Sequence, residues 1–243
     1  MHKKKKMNII IFGATSGIGK ALFRTFLDPE NHLGITGRRT NLLEKLRQEH
    51  PQNTEIYTTD INDHEAVDNA INHFVKIFKT IDIAIICAGV GHINNELDHK
   101  KEYETISTNM VGWTYVVDKI YHLLENQKHG QLVGISSIGG LRGEAAAPAY
   151  SATKAYQINY LEALRKKAFK AKKGITVTDI RPGLVNTAMA QGEGLFWVMP
   201  VDKVARQIAK AINAKASKRY VTHRWHALAI LIKNLPWHIY KKI

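Results

Sequence analysis

Short apolar runs of strand length alternate with amphipathic stretches of helix length along most of the chain. The strongest runs cover residues 8–12, 33–36, 81–86, 132–135 and 175–180, with weaker candidates near 54–57 and 219–222. Strands that alternate with helices are joined by right-handed crossovers into a parallel sheet covered on both faces. The sequence therefore predicts a doubly wound α/β fold of about seven strands, with ligands at the carboxyl ends of the strands.

Length and composition favour one large domain. A chain of 243 residues with 44% hydrophobic content can bury a sizeable core, and no linker or internal repeat interrupts it. We expect a single domain over residues 1–243, with a basic flexible end at 1–6 and a basic, aromatic segment at 224–243. The one cysteine, Cys87, excludes an intramolecular disulfide and a cysteine-cluster metal site, and it suits a reducing, cytoplasmic compartment.

A formal net charge of +14 favours anionic partners such as nucleic acid, phospholipid headgroups or phosphorylated cofactors. No zinc-finger spacing or aromatic-glycine RNA motif accompanies the charge, so we expect no nucleic-acid function. No apolar stretch reaches the roughly 20 residues that span a bilayer. The lysine run at residues 3–6 also lacks the apolar region of a secretory signal.

The first predicted strand runs directly into a glycine-rich turn, Gly13-Ala-Thr-Ser-Gly-Ile-Gly19, and then into a helix expected over residues 20–27. Glycine lets the backbone turn tightly and approach a pyrophosphate, while the helix amino terminus offers unpaired N–H groups and partial positive charge. This layout is typical of a dinucleotide site. Taken alone, it would also serve as a structural connection between strand and helix.

Two arginines follow the second strand, where the adenosine ribose of a dinucleotide would lie. An acidic side chain there accepts from a 2′-hydroxyl, whereas arginine accommodates a 2′-phosphate, so Arg38 and Arg39 favour NADP(H) over NAD(H). Their alternative is a solvated pair opening the helix expected over residues 41–49. Asp60, after the third strand, is placed either to accept from the adenine amino group or to cap a helix starting near Asp63.

Tyr150 and Lys154 are spaced to lie one turn apart on the same face of a helix. A nearby ammonium makes a phenol a better acid or base at neutral pH. Tyr115 and Lys119 show the same spacing without other reactive neighbours, so the spacing alone is weak evidence. The difference is Ser137, which follows the buried strand predicted just before it and completes a set suited to proton transfer.

Together these features resemble the short-chain dehydrogenase/reductase family, over roughly residues 7–223. The matching residues occur in family order: Gly13, Gly17, Gly19, Ala88, Gly89, Asn109, Ser137, Tyr150, Lys154, Pro182 and Gly183. The chain has Phe12 where the family usually has threonine and Cys87 where it usually has asparagine. We expect both departures to alter local packing and to leave catalysis intact.

The resemblance implies a Rossmann-type fold and specific catalytic roles. Tyr150 would protonate a carbonyl oxygen as hydride arrives and would act as the base in the reverse direction. Lys154 would lower the pKa of Tyr150 and hold the nicotinamide ribose, while Ser137 would hydrogen-bond the developing alkoxide. Asn109 would fix a water that links Lys154 to solvent, or would brace a helix as a buried amide. Only one of Ser136 and Ser137 can face the substrate, and the family spacing selects Ser137.

The resemblance also implies a cofactor-binding set spread over the loops at the carboxyl ends of the strands. It comprises Gly13, Ser16, Gly17, Ile18, Gly19, Arg38, Arg39, Asp60, Ile61, Ala88, Gly89, Tyr150, Lys154, Pro182, Gly183, Val185 and Thr187. A homodimer or homotetramer is expected on the same ground. No metal is expected in the site.

Residues 187–200 correspond to the mobile substrate lid of the family, with glycine hinges and an apolar stretch that favours an apolar carbonyl substrate. Alternatively, Phe196 and Trp197 pack against the next helix, expected over residues 201–214, whose apolar residues recur at core-facing spacing. The final segment interleaves aromatic and basic residues. It would suit a subunit contact, a helix that closes the sheet, or peripheral contact with a membrane, and Pro236 limits any continuous helix.

The sequence thus predicts an NADP(H)-dependent oxidoreductase that interconverts a carbonyl and a secondary alcohol on a small or apolar substrate. The main alternative is an NADP-binding sensor without turnover, which would not need Ser137, Tyr150 and Lys154 together. A nucleotide-sugar epimerase or dehydratase would resemble a longer chain with a different glycine spacing. A basic scaffold for membrane or nucleic acid would keep its binding when the active site is mutated.

Overall fold

A computed structural model describes residues 6–189 and 197–242. Its sheet has seven strands in the order β3-β2-β1-β4-β5-β6-β7, and every neighbouring pair is parallel. The strands are β1 (Asn8–Phe12), β2 (His32–Gly37), β3 (Thr54–Thr58), β4 (Ile83–Ile86), β5 (Gly130–Ile135), β6 (Ile175–Pro182) and β7 (Lys218–Val221). All seven strand predictions, including the two weaker ones, are confirmed, as is the doubly wound α/β fold.

Helices fill the connections between the strands. They are α1 (Gly17–Thr25), α2 (Thr40–Glu49), α3 (His64–Phe78), α4 (His99–Ile106), α5 (Trp113–Gln127), α6 (Pro148–Ala171), α7 (Val201–Asn213), α8 (His223–Asn234) and α9 (Trp237–Tyr240). A π-helical stretch, Ser107–Gly112, joins α4 to α5, and a 3-10 turn, Ile138–Gly140, follows β5. The predicted start of α1 at residue 20 is wrong, because Ser16 is the extended residue at the helix boundary and the helix already begins at Gly17.

The sheet separates two hydrophobic cores, and β1 shows how the sequence divides between them. Ile9 and Ile11 point into the core covered by α1 and α7, whereas Ile10 and Phe12 point into the core covered by α3, α5 and α6. Successive strand residues face opposite sides, so a strand buried on both faces must be apolar at every position. The predicted core face of α7 is confirmed, since Val204 and Ile208 are fully buried.

The carboxyl-terminal segment folds back onto the loop that leads from Ser137 to Tyr150, which we call the serine–tyrosine loop (residues 138–147). Arg142 Nη1 in this loop donates to the backbone carbonyls of Ile232 and Leu235 at the end of α8, at 3.4 and 2.8 Å. Tyr240 Oη donates to the Gly143 carbonyl at 2.7 Å, and its ring lies under the Arg142 guanidinium. The segment therefore forms part of the wall beside the active-site loop.

Pro236 separates α8 from α9, as its sequence position predicts. Exposed apolar side chains remain on this segment, including Ile230, Leu231 and Trp237. Across residues 6–189 and 197–242, none of the helices combines the length and the apolar character needed to span a bilayer.

Candidate active site

The catalytic candidates converge where β5 ends and α6 begins. Ser137 follows β5, and its Oγ accepts from the Gly139 amide at 3.0 Å. Pro148 opens α6 at a position where its missing N–H costs nothing, which fixes the helix start just before Tyr150. The helix then carries Tyr150 and Lys154 on successive turns facing the sheet. The structure thus brings these three predicted residues to one corner of the sheet, and Asn109 lies next to Lys154, on the other side of Gly89.

The Tyr150 ring lies against Gly91 and beside Ser137, since a Cβ on Gly139 would lie 3.3 Å from Ser137 Oγ and 3.4 Å from Tyr150 Cε1. Burial raises the pKa of Tyr150 above its usual value, and the Ser137 hydroxyl acts in the opposite direction. The effect of Lys154 on this pKa stays a prediction. The Lys154 ammonium lies 5.8 Å from the centre of the Tyr150 ring and donates hydrogen bonds to Ile135 and Gln157.

Lys154 is nearly fully buried, and its Nζ donates to the Ile135 carbonyl at 3.0 Å and to Gln157 Oε1 at 2.9 Å. Burial lowers the pKa of Lys154 to about 8, although the charge of Asp179 opposes this shift. An ammonium with a pKa near neutrality can respond to charges that arrive in the site.

Asn109 lies in the π-helical stretch, fully buried. Its Oδ1 accepts from the Val90 amide at 2.8 Å, and its Nδ2 donates to the Val90 carbonyl at 2.7 Å and to Thr153 Oγ1 at 3.3 Å. The side chain thus ties the loop after β4 to α6. This geometry corresponds to the bracing alternative for the Asn109 side chain, and π-helical stretches often occur at functional sites.

The side chains of Ser136 and Ser137 have different surroundings at the end of β5. Ser136 Oγ donates to Asp179 Oδ1 at 2.5 Å and is buried, away from Tyr150, within an ion pair between Asp179 and Arg181. Ser137 is the serine beside Tyr150, at the position that the family spacing selects.

The glycine turn forms a cradle that side chains would fill. Gly13 has φ +86°, and a Cβ there would lie 2.6 Å from the Ala88 amide nitrogen. A Cβ on Gly19 would collide with the Gly13 carbonyl. At the amino terminus of α1, Ser16 makes no capping hydrogen bond and the first turn holds no acidic residue. Free N–H groups and an uncompensated positive dipole fit a pyrophosphate.

The two arginines after β2 lie beside this turn in different ways. Arg39 reaches across it and donates to Thr15 Oγ1 at 2.7 Å and to Ser16 Oγ at 2.9 Å. Arg38 is exposed, with its Nη1 3.9 Å from Asp60 Oδ2. Asp60 also accepts from the Asn62 amide, whereas the helix α3 is capped by Asp63, so the capping alternative for Asp60 is wrong.

The remaining cofactor candidates line the same edge. Gly89 is so close to Asn109 Oδ1 that a Cβ on it would lie 3.1 Å away. Thr187 approaches the glycine turn, since a Cβ on Gly17 would lie 3.3 Å from Thr187 Cγ2. Val185 is buried and pairs with Met199 in an isolated bridge. Ile18 packs against one core, and Ile61 is buried in the other. Pro182 ends β6, and the Gly183 amide donates to the Val221 carbonyl at 2.8 Å.

The predicted lid lies partly outside the described residues, which do not include 190–196 or the predicted contact residue Phe196. Trp197 forms an edge-on contact with Trp225 of α8 at 6.1 Å. The Trp225 ring in turn lies directly over Gly183, where a Cβ would be 2.2 Å away. Trp197 therefore contacts α8.

Comparison with known proteins places the chain in a family. The sequence model of the family described as short chain dehydrogenase matches residues 7–195. The chain is a short-chain dehydrogenase. Its membership makes it an NAD(P)-dependent oxidoreductase, in agreement with the glycine turn and with the residues around Tyr150.

This dehydrogenase is similar to several named proteins. An uncharacterised oxidoreductase of Staphylococcus haemolyticus is 31% identical over 185 residues, covering 75% of this chain and 79% of that protein. The NADP-dependent 3-hydroxy acid dehydrogenase YdfG of Escherichia coli K12 is 30% identical, covering 74% and 73%.

Solved structures share the fold. A short-chain dehydrogenase from Streptomyces avermitilis superposes with a TM-score of 0.81 at 21% identity, covering 94% of this chain and 92% of that one. ElxO with NADP bound superposes with a TM-score of 0.78 at 25% identity, covering 89% and 97%.

Some residues of this dehydrogenase's site are not found by sequence reasoning. Thr15 anchors Arg39, and Met189 Sδ lies beside Gly91, within 3.4 Å of where a Cβ on that glycine would be. Gln157 joins Lys154 to the Asn109 carbonyl, at 2.9 and 2.8 Å. The available signal for Gln157 was a polar residue one turn beyond Lys154 on the face of α6 that the lysine already occupies.

Proposed function

We propose that this dehydrogenase interconverts a carbonyl and a secondary alcohol with NADP(H), using Tyr150 as the acid in reduction and as the base in oxidation. The observation that carries the proposal is the placement of Ser137 and Tyr150 side by side at Gly139, with the buried Lys154 ammonium 5.8 Å from the centre of the same ring. A dinucleotide sensor without turnover would have no use for this combination.

In reduction, bound NADPH supplies hydride to the carbonyl carbon. The Tyr150 hydroxyl gives its proton to the carbonyl oxygen, so that a new alcohol O–H bond replaces the phenol O–H bond. The Ser137 hydroxyl, oriented by the Gly139 amide, donates to the same oxygen as negative charge develops there. The Lys154 ammonium stabilises the phenolate that remains.

The preference for NADP(H) rests on the charges beside the glycine turn. Arg38 and Arg39 follow the strand β2, with no carboxylate in the position that would accept from a 2′-hydroxyl. Arg38 is exposed and only loosely paired with Asp60, so its guanidinium is available to a 2′-phosphate. Two similar proteins, the NADP-dependent dehydrogenase YdfG and ElxO with NADP bound, agree with this preference.

A small or apolar substrate is consistent with the surroundings of Tyr150. The phenol ring packs against Gly91, and Met189 supplies apolar surface beside the same glycine. Met189 is partly exposed at the start of the segment assigned to the lid. These contacts favour a carbonyl compound with apolar surface next to the reacting group.

The test is NADPH and NADH oxidation by the purified protein with a panel of aldehydes, ketones, diketones and 3-keto compounds. We expect turnover with NADPH, and a loss of at least about a hundredfold in kcat for Tyr150→Phe, because general acid catalysis typically contributes that much. Tyr115→Phe is the matched control, because Tyr115 has the same spacing to a lysine but bonds Asp68 on the surface. Equal activity of the Tyr150→Phe variant and the natural protein would refute the assignment.

We also propose that the chain folds as a single domain and assembles as a homodimer or homotetramer, as the family resemblance implies. The two cores share one continuous sheet, which supports cooperative unfolding. Light scattering on the purified protein measures the mass of the assembly, and a monomer at micromolar concentration would contradict the proposal.

A further inference from the structure

Gln157 is the polar side chain in contact with Lys154 that the proposed reaction does not use. It lies on α6, fully buried, and accepts from Lys154 Nζ through Oε1 at 2.9 Å. Its Nε2 donates to the backbone carbonyl of Asn109 at 2.8 Å. An ammonium only donates and a carbonyl only accepts, so the two partners fix which end of the amide faces which.

Both hydrogen-bond partners of Gln157 belong to the candidate active site. The Asn109 carbonyl lies within the π-helical stretch, where the backbone departs from the regular helical pattern. The Asn109 side chain is already engaged with Val90 and Thr153. The amide of Gln157 therefore occupies the space between the ammonium and the carbonyl, in direct hydrogen-bonding contact with both.

We propose that Gln157 is a positioning residue of this active site, which holds the Lys154 ammonium and occupies the place where a relay water between Lys154 and Asn109 was expected. The proposal rests on the proposed function, in which Lys154 supports Tyr150. The side-chain amide does not give up its proton at neutral pH, so the path from Lys154 to the Asn109 carbonyl does not carry protons. The partly exposed Tyr150 phenolate then takes its proton from solvent water.

The other groups that face Lys154 are few and come from three elements. Cys87 follows β4, Asp179 lies on β6, and Tyr150 lies on α6 itself. Burial raises the pKa of Cys87 to about 12, so its thiol is neutral near pH 8, and the Asp179 carboxylate is held by Arg181 and Ser136. The amide of Gln157 is therefore an uncharged hydrogen-bond partner of the Lys154 ammonium, and a substitution can remove it.

The decisive measurement is the titration of Lys154 in the cofactor-free protein, followed by NMR of lysine labelled with ¹³C at Cε and assigned with Lys154→Met. The natural protein should titrate with a pKa of about 8. In Gln157→Leu, which keeps the side-chain volume but removes the acceptor, we expect the midpoint to fall by about one pH unit. In the isosteric Gln157→Glu, the carboxylate should raise it.

Gln131→Leu is the matched control, because Gln131 is also buried and hydrogen-bonded but lies at the start of β5, away from the site. An unchanged Lys154 midpoint in Gln157→Leu, or an equal shift in the Gln131→Leu control, would overturn the proposal. The titration needs no substrate, so it decides the positioning role even if the protein reduces none of the carbonyl compounds tested.

Kinetic measurements test whether Gln157 interrupts the proton path between Lys154 and the Asn109 carbonyl. Gln157→Ala leaves a polar space lined by Lys154 and the Asn109 carbonyl, which a water can fill. We expect the dependence of kcat on deuterium fraction in mixed water to be linear for the natural protein and curved for Gln157→Ala, because a relay moves more than one proton. The same curvature in both proteins would show that the path is already open and would contradict the proposal.

Discussion

At the scale of single residues, the active site is defined by which partner each polar atom has taken. Ser136 and Ser137 are neighbours of identical chemistry, yet Ser136 is hydrogen-bonded to the buried Asp179, whereas Ser137 lies beside Tyr150. Arg38 and Arg39 differ in the same way, since Arg39 is bonded to Thr15 and Ser16, while Arg38 is exposed. The side chain with fewer internal contacts is the one available to a ligand.

We expect Arg38→Asp to weaken NADPH binding by at least about tenfold, since a hydrogen bond to a charged group contributes about 1.5–3 kcal/mol. NADH binding should change little, because NADH lacks the 2′-phosphate. Fluorescence titration of both cofactors measures the two dissociation constants. Arg47→Asp makes the same charge change at an exposed α2 residue paired with Glu44, and it should affect neither cofactor. Equal losses for NADPH and NADH would remove the basis for the NADP preference.

The sequence predicted which residues belong to the site better than it predicted the contacts that these residues make. The glycine turn and the spacing of Tyr150 and Lys154 are local patterns, so they predict local geometry well. The bond between Gln157 and Asn109 joins residues 48 positions apart. It depends on how α6 packs against the π-helical stretch, which no local pattern encodes. The same limit applies to the pKa of Tyr150, which depends on burial and on where the Lys154 ammonium points.

At the scale of elements, the arrangement of α8 depends on a single side chain from another part of the fold. The last carbonyls of a helix lack intrahelical partners, and Arg142 supplies a donor to those of α8. The aromatic and basic pattern of residues 224–243 gave three alternatives for the segment and no means of locating this contact. The strands were predicted more closely because strands such as β1 and β4 are buried on both faces and read as nearly continuous apolar runs.

Arg142→Ala should loosen the contact between α8, α9 and the serine–tyrosine loop. It removes two hydrogen bonds and the contact with the Tyr240 ring, so we expect the free energy of unfolding to fall by about 1–3 kcal/mol. Hydrogen exchange should rise in residues 223–240, and kcat/KM should fall because the loop leading to Tyr150 loses its support. Tyr240→Phe removes only the bond to Gly143 and should give a smaller effect. Unchanged exchange in Arg142→Ala would show that the segment is held elsewhere.

At the scale of the whole molecule, the buried Lys154 links stability to pH. Its folded-state pKa of about 8 lies below the ordinary value of 10.5, so above pH 8 the unfolded chain binds more protons than the folded one. Stability therefore rises with pH through this window. The buried Cys87 thiol acts in the opposite direction above pH 9, since its pKa is raised from 9.0 to about 12.

Between pH 8 and pH 9 the lysine effect should dominate. We expect the free energy of unfolding, measured by urea titration, to rise by about 1 kcal/mol over this interval beyond the rise in Lys154→Met. Cys87→Ala should preserve the increase and extend it to higher pH. If the free energy of unfolding rises equally in Lys154→Met and in the natural protein between pH 8 and pH 9, Lys154 titrates at its ordinary value in the folded chain. Stability is then not linked to the protonation of Lys154 in this pH range.

The contact between Arg142 and α8 also bears on the order in which a ribosome delivers the parts of the enzyme. The glycine turn, Ser137, Tyr150 and Lys154 all precede α8 in the chain, and α8 follows β7, the outermost strand of the sheet. A growing chain therefore has the parts of the phosphate cradle and the reacting residues before it has the segment that supports the serine–tyrosine loop. During synthesis, nucleotide binding can precede the assembly of the wall beside the active site.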